Sequence, residues 1–149
     1  MHLLAEQTVA IQCPVSKAYD YATNMERFVD WFPGVLAIRS ANEQAHAEVG
    51  KAYLETVQVP VSGKRDIRLL VKEARANAFF ATEGHFKPLL PRMEMVFEPT
   101  GAESCRVTWR MFSRNRSLLA RVTVVPLARR VLARRSVQGV AALRRKLEG

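Results

Sequence analysis

The side chains that could act on a substrate are few in this chain, and they are scattered. Of three histidines, His85 is the best general-base candidate by type, because an unperturbed imidazole titrates near pH ~6.5. It ends a predicted strand beside Phe86 and a proline-containing loop, Lys87 to Pro91, and no second group is placed near it. His2 lies at the terminus and His46 in a polar loop, so neither is assigned a role. Tyr53 and Glu55 share the parity of Val57, which allows both to point inward. A buried carboxylate would need a partner or a raised pKa, and a solvated edge position is the simpler account of Glu55. Arg129 fills the one gap in an otherwise apolar helical stripe. It would hold an acidic head group there, or be turned into water by a kink at Pro126, which is the preferred reading. Cys13 and Cys105 make neither a metal-ligand spacing nor a disulfide framework. No phosphate-cradling glycine loop, zinc spacing or nucleophile elbow is present. No catalytic residue, metal or cofactor is therefore assigned, and the reading leans away from an enzyme.

The element that must organise whatever site exists is the tail, Asn115 to Leu147. Leu118, Val122, Val125, Leu132, Ser136, Val140, Leu143 and Leu147 recur at steps of three and four, which predicts one helical stripe. Pro126 must kink or break it. The opposite face carries Arg130, Arg134, Arg135, Arg144, Arg145 and Lys146. Ser136 and Gly139 give the stripe a soft middle. Such small residues either leave a cavity beneath the helix or allow close backbone packing against a sheet.

Upstream, Leu3 to Ile11 reads as a strand ended by Pro14, followed by helical spacing over Val15–Ala22 and a second short helix from Met25 to Phe32. Pro33–Gly34 breaks it. Strands are then expected over Val35–Ser40, from Gly50 to about Val59, and over Lys64–Arg75, Phe79–Phe86, Arg92–Glu98 and Ser104–Phe112. Short turns join them, so the sheet should be an antiparallel meander. Alternation sets Ile67, Leu69 and Val71, then Met93, Met95 and Phe97, then Val107, Trp109 and Met111 on one apolar face, with charged residues opposite. Met suits irregular apolar surfaces, although gap-filling in a core is its commoner use.

A chain of 149 residues is expected to form one domain, 1–149, large enough to bury a core. The net charge of +9 lies wholly in the tail: from Arg114 onward there are 10 Lys and Arg against one acid, Glu148. An anionic membrane surface or an acidic partner would fit that charge. Nucleic acid is disfavoured, because the basic face lacks interleaved aromatic residues. The first residues lack the pattern of a signal peptide, and no window reaches the ~18 apolar residues of a membrane span, so a cytoplasmic setting is expected.

Three stretches, taken in order, resemble one superfamily. Val9 to Tyr21 is similar to its opening strand, proline and first helix. Glu26 to Val35, with Trp31–Phe32–Pro33–Gly34, is similar to its second helix and exit. Val49–Gly50–Lys51–Ala52–Tyr53 is similar to the start of its next strand. On these the chain resembles the SRPBCC (START-like) superfamily, in its polyketide cyclase/dehydrase-like branch. The resemblance implies an α+β helix-grip fold: a curved antiparallel sheet of about six or seven strands wrapped around a long C-terminal helix, with two short helices after the first strand. It implies a hydrophobic small molecule or lipid held between sheet and helix, or a cyclase/dehydrase working in the same cavity. The expected lining is Trp31, Phe32, Ile38, Tyr53, Leu69, Met93, Met95, Trp109, Met111, Ser136, Gly139 and Val140.

Overall fold

Seven strands form one antiparallel sheet in a computed structural model that describes all residues, 1–149. The order along the chain is β1 (His2–Ile11), α1 (Val15–Thr23), a 3-10 helix (Met25–Asp30), β2 (Val35–Ser40), β3 (Ala52–Val59), β4 (Gly63–Arg75), β5 (Phe79–His85), β6 (Pro91–Gly101), β7 (Ser104–Ser113), α2 (Leu118–Val122) and α3 (Val124–Glu148). Across the sheet the order is β1-β7-β6-β5-β4-β3-β2, so β2 to β7 run as a meander and β1 closes onto β7. The two short helical pieces leave β1 and return the chain to the far edge. This is the helix-grip arrangement.

Period-two alternation decides which face is buried. Ile67, Leu69, Val71, Met93, Met95, Phe97, Val107 and Trp109 all lie in the core, as the alternation predicts. α3 covers that face. Ser136, Gly139, Val140, Leu143 and Leu147 are buried along it. Its C-terminal end is tied down twice: Lys17 Nζ donates to the Leu147 carbonyl at 3.0 Å, and the Gln12 amide donates to Glu148 Oε2 at 2.8 Å.

The tail departs from the single kinked stripe expected of it. The helix breaks at Thr123 (φ −113°, ψ −82°), ahead of Pro126. Proline cannot donate to the Val122 carbonyl and its ring would clash with it, so a straight, unbroken helix across Val122 is strongly disfavoured. Restarting at Val124 puts Pro126 in the first turn, where the missing N–H would have been unsatisfied anyway. α2 is capped by Ser117, whose hydroxyl accepts from the Ala120 amide. The break also rotates the stripe: Val125 is buried, whereas Leu118 and Val122 are exposed rather than in the core. Arg129 lies on the exposed side, where its Nε donates to the Leu3 carbonyl at 3.0 Å.

Candidate functional site

With its C-terminal half sealed against the sheet, α3 stands off it in its N-terminal half. A cavity of about 180 Å3 opens there. Val124, Leu127, Ala128, Val131 and Leu132 of α3 form one wall. Phe28, Phe32 and the Pro33–Gly34–Val35 turn form a second. Val57 to Pro60 of β3 and its turn, Ile67 of β4, Phe86, Leu89 and Pro91 around the β5–β6 turn, and Met111 of β7 complete it. The volume is below the roughly 300–1,000 Å3 of sites for drug-sized ligands. It suits a compact molecule or the head of a longer one.

Two charged side chains reach this apolar space, Glu55 and Arg135. Glu55 is not at a solvated edge: the inward parity shared with Tyr53 and Val57 wins, and the residue is only 6% exposed. Its carboxyl has neither a hydrogen-bonding nor a charged partner in the protein, and burial alone pushes its pKa up to about 7. Arg135 does not project into water with the rest of the basic face. Its guanidinium lies against Gly34, where a Cβ would come within 2.4 Å of it, and its Nη2 donates to the Gln58 carbonyl at 3.0 Å. Burial lowers its pKa. Gly34 has a φ of +87°, which glycine adopts without strain, and it also admits the arginine.

Of the twelve residues expected to line a cavity, Phe32 and Met111 do so. Trp31, Tyr53, Leu69, Met93, Met95, Trp109 and Val140 lie in the closed core, and Ile38 packs against it. Ser136 and Gly139 are buried where helix and core are in direct contact, so the expected cavity is not beneath them. The room they leave is taken by Phe32: a Cβ on Gly139 would fall 2.8 Å from its ring. Phe32 stacks on Trp109 at 5.0 Å and on Phe28 at 4.9 Å, filling the soft middle of the helix with aromatic surface. Close packing, not a void, is what the small residues permit.

A second polar constellation falls outside the cavity. His46 Nδ1 hydrogen-bonds the Tyr53 hydroxyl, its Nε2 lies 3.4 Å from Glu26 Oε1, and its ring stacks on Tyr53 at 5.7 Å. Glu26 also accepts from the Ser40 amide and hydroxyl. The set fastens the 41–51 loop to the 3-10 helix. Tyr53 is fully buried, and burial pushes its phenol up to about 12, so it is a poor proton donor to anything outside. Nothing local in the sequence marks His46, because only the fold brings its loop onto Tyr53. His85 is exposed and does not line the cavity, although its neighbour Phe86 does. Burial raises both cysteine pKa values, that of Cys105 to about 11, which suppresses thiolate chemistry.

The whole arrangement matches known proteins. The family model described as "Polyketide cyclase / dehydrase and lipid transport" matches residues 2–148. No curated protein matches the chain by sequence. Among solved structures, a START superfamily protein from Mycobacterium smegmatis superposes with a TM-score of 0.77 at 11% identity, covering 98% of this chain and 97% of that one. The Zhui aromatase/cyclase from Streptomyces sp. R1128 gives 0.70 at 17% identity, with 97% and 92% covered. The di-domain ARO/CYC BexL from the BE-7585A biosynthetic pathway gives 0.76 at 14% identity. That match covers 99% of this chain but only 47% of BexL, so the chain spans about half of that protein. At these identities the likeness is one of fold.

Proposed function

The chain belongs to the polyketide cyclase/dehydrase and lipid transport family, and from that premise we propose that it binds a hydrophobic small molecule or lipid between the sheet and the N-terminal half of α3. The observation that carries this reading is an apolar cavity of about 180 Å3 beside the packed core. Apolar walls supply affinity in proportion to the area they bury, at about 25 cal/mol per Å2. A cyclase or dehydrase reading has one observation in its favour, the buried carboxyl of Glu55. One acid with no partner positions no proton-transfer chain, and binding is the better supported role. Native mass spectrometry of the protein before and after lipid extraction tests it. A co-purifying apolar mass that extraction removes is the expected result. Turnover of a cyclisable substrate, lost in Glu55→Gln, would favour the enzyme.

The partner side of the proposal is an anionic bilayer, met through the shoulder of the cavity rather than along the whole basic helix. Leu118 and Leu119 of α2 are 73% and 72% exposed, and Val122 also faces water. Arg116 and Arg121 lie among them, both exposed. Val61, fully exposed at the tip of the β3–β4 turn with a φ of +70°, stands next to cavity-lining Pro60, as Val122 stands close to cavity-lining Val124. Apolar tips that enter the acyl boundary, flanked by cations worth about 1 kcal/mol each near an anionic surface, suit a peripheral membrane contact. Co-sedimentation should show binding to phosphatidylserine vesicles at low salt, weaker binding at high salt, and loss in a Leu118→Glu, Leu119→Glu variant. Binding unaffected by that variant, or a dimer formed through the same leucines without vesicles, would refute this contact.

A further inference from the structure

Glu55 is the one acidic group in a cavity wall that is otherwise mostly apolar. The walls that face it from β2, β4, β7, the β5–β6 turn and α3 carry one other charged group, Arg135. That guanidinium is already engaged with the Gln58 carbonyl. Glu55 therefore lacks something in either protonation state. As a carboxylate it lacks a donor, and as a carboxylic acid its O–H lacks an acceptor. The carboxyl is reached from the cavity, so a ligand that displaces water from it must bring an equivalent hydrogen-bonding group. Two kinds of occupant would complete it. A cationic amine would pair with the carboxylate, but it would enter beside Arg135 and into the field of a chain with a net charge of +9. An uncharged molecule with an acceptor oxygen meets no such opposition.

We infer that Glu55 selects the ligand's polar end: the cavity takes an uncharged apolar molecule bearing a carbonyl or hydroxyl oxygen, which accepts a hydrogen bond from the protonated Glu55 carboxyl. The inference rests on the cavity reading above and adds the chemical class to it. Burial raises its pKa to about 7, so the carboxyl is mostly protonated below that pH and about half protonated at neutrality. Affinity for such ligands should therefore fall as the pH rises and the donor proton is lost.

The test uses three compact probes of one shape: tetralin, α-tetralone and aminotetralin, titrated calorimetrically into the intact protein. Wild type should bind α-tetralone about tenfold more tightly than tetralin near pH ~6, since one satisfied buried hydrogen bond is worth about that factor. The preference should shrink toward parity by about pH 9. Glu55→Gln, which keeps a donor of the same shape, should retain the preference and lose its pH dependence. Glu55→Leu should bind both probes equally. An unchanged preference in Glu55→Leu, or a wild-type preference for aminotetralin over α-tetralone, would overturn the inference while leaving the cavity reading intact. No binding of any probe by wild type or variant would overturn the cavity reading itself, and this inference with it.

Discussion

The two faces of the sheet treat carboxylates in opposite ways. On the outer face, Arg92 sits at the centre of three of them, with Nη2 to Glu73 at 2.9 Å, Nη1 to Glu83 at 2.8 Å and Nε to Glu94 at 2.8 Å. Arg114 adds a second cation, 3.4 Å from Glu83, and donates to the Gly84 carbonyl. These contacts sew β4, β5 and β6 together, and the three carboxylates raise the Arg92 pKa against the opposing effect of its burial. On the inner face, Glu55 is more deeply buried and has no partner at all. A paired cluster serves the fold. An unpaired carboxyl on a cavity wall does not, and it is open to an occupant.

The largest effect should come from breaking the outer cluster. Arg92→Met removes the shared cation and leaves Glu73, Glu83 and Glu94 facing one another with Arg114 as the only nearby compensation. Removing one partner of a largely buried ion pair costs about 3 to 5 kcal/mol. Urea denaturation at neutral pH should show a loss in that range. A loss below about 1 kcal/mol would place the cluster among surface pairs of little weight and erase the contrast between the faces.

The inner carboxyl should behave in the opposite sense. The folded-state pKa of Glu55 is raised from 4.5 to about 7. Below pH 4.5 folded and unfolded forms are both protonated there, and Glu55 imposes no penalty. Between 4.5 and 7 the unfolded chain ionises while the folded one holds its proton, so stability falls as pH rises and levels off above 7. Each pKa unit corresponds to about 1.4 kcal/mol, which makes the full penalty about 3 kcal/mol. Glu55→Leu should therefore be more stable than wild type above pH ~7 by about that amount, with the difference shrinking toward acid pH. Comparing the two proteins at each pH cancels the titration of all other groups. A variant less stable than wild type at alkaline pH would mean that Glu55 has a stabilising partner when ionised.

Much of this fold was legible in the residues, and the site much less so. Alternation located the seven strands to within a few residues, because each strand buries one face and a slip of one position would expose all of it. Pro126 announced a break in the tail, but not that the break falls at Thr123 or that it turns Leu118 and Val122 outward. Ser136 and Gly139 announced small residues facing the sheet. Which neighbour fills the space is a long-range matter, and here Phe32 arrives from a segment 107 positions away in the chain from Gly139. The parity of Glu55 was visible as well. It was set aside because a lone inward carboxylate costs free energy, which is the reason its actual burial is informative. His46 had no local signal, since its partners Tyr53 and Glu26 meet it only once the 41–51 loop is closed.

The smallest effect sharpens the comparison by separating burial from the number of ion pairs. Glu73 is bonded to Arg92 as closely as its two companions are, yet its side chain is 49% exposed. Water screens that arm, and Arg92 keeps Glu83 and Glu94 when it is lost. Glu73→Gln should therefore cost less than about 1 kcal/mol, the range of exposed pairs. Glu94→Gln removes a carboxylate that also has Arg92 as its one ion-pair partner but is mostly buried, and it should cost clearly more. Urea midpoints for the two variants decide the matter, because both substitutions remove one charge and keep the side-chain shape. If Glu73→Gln proves as costly as Glu94→Gln, possession of a partner rather than burial governs these carboxylates. The depth of Glu55 in the cavity wall would then be a poor guide to the size of its penalty.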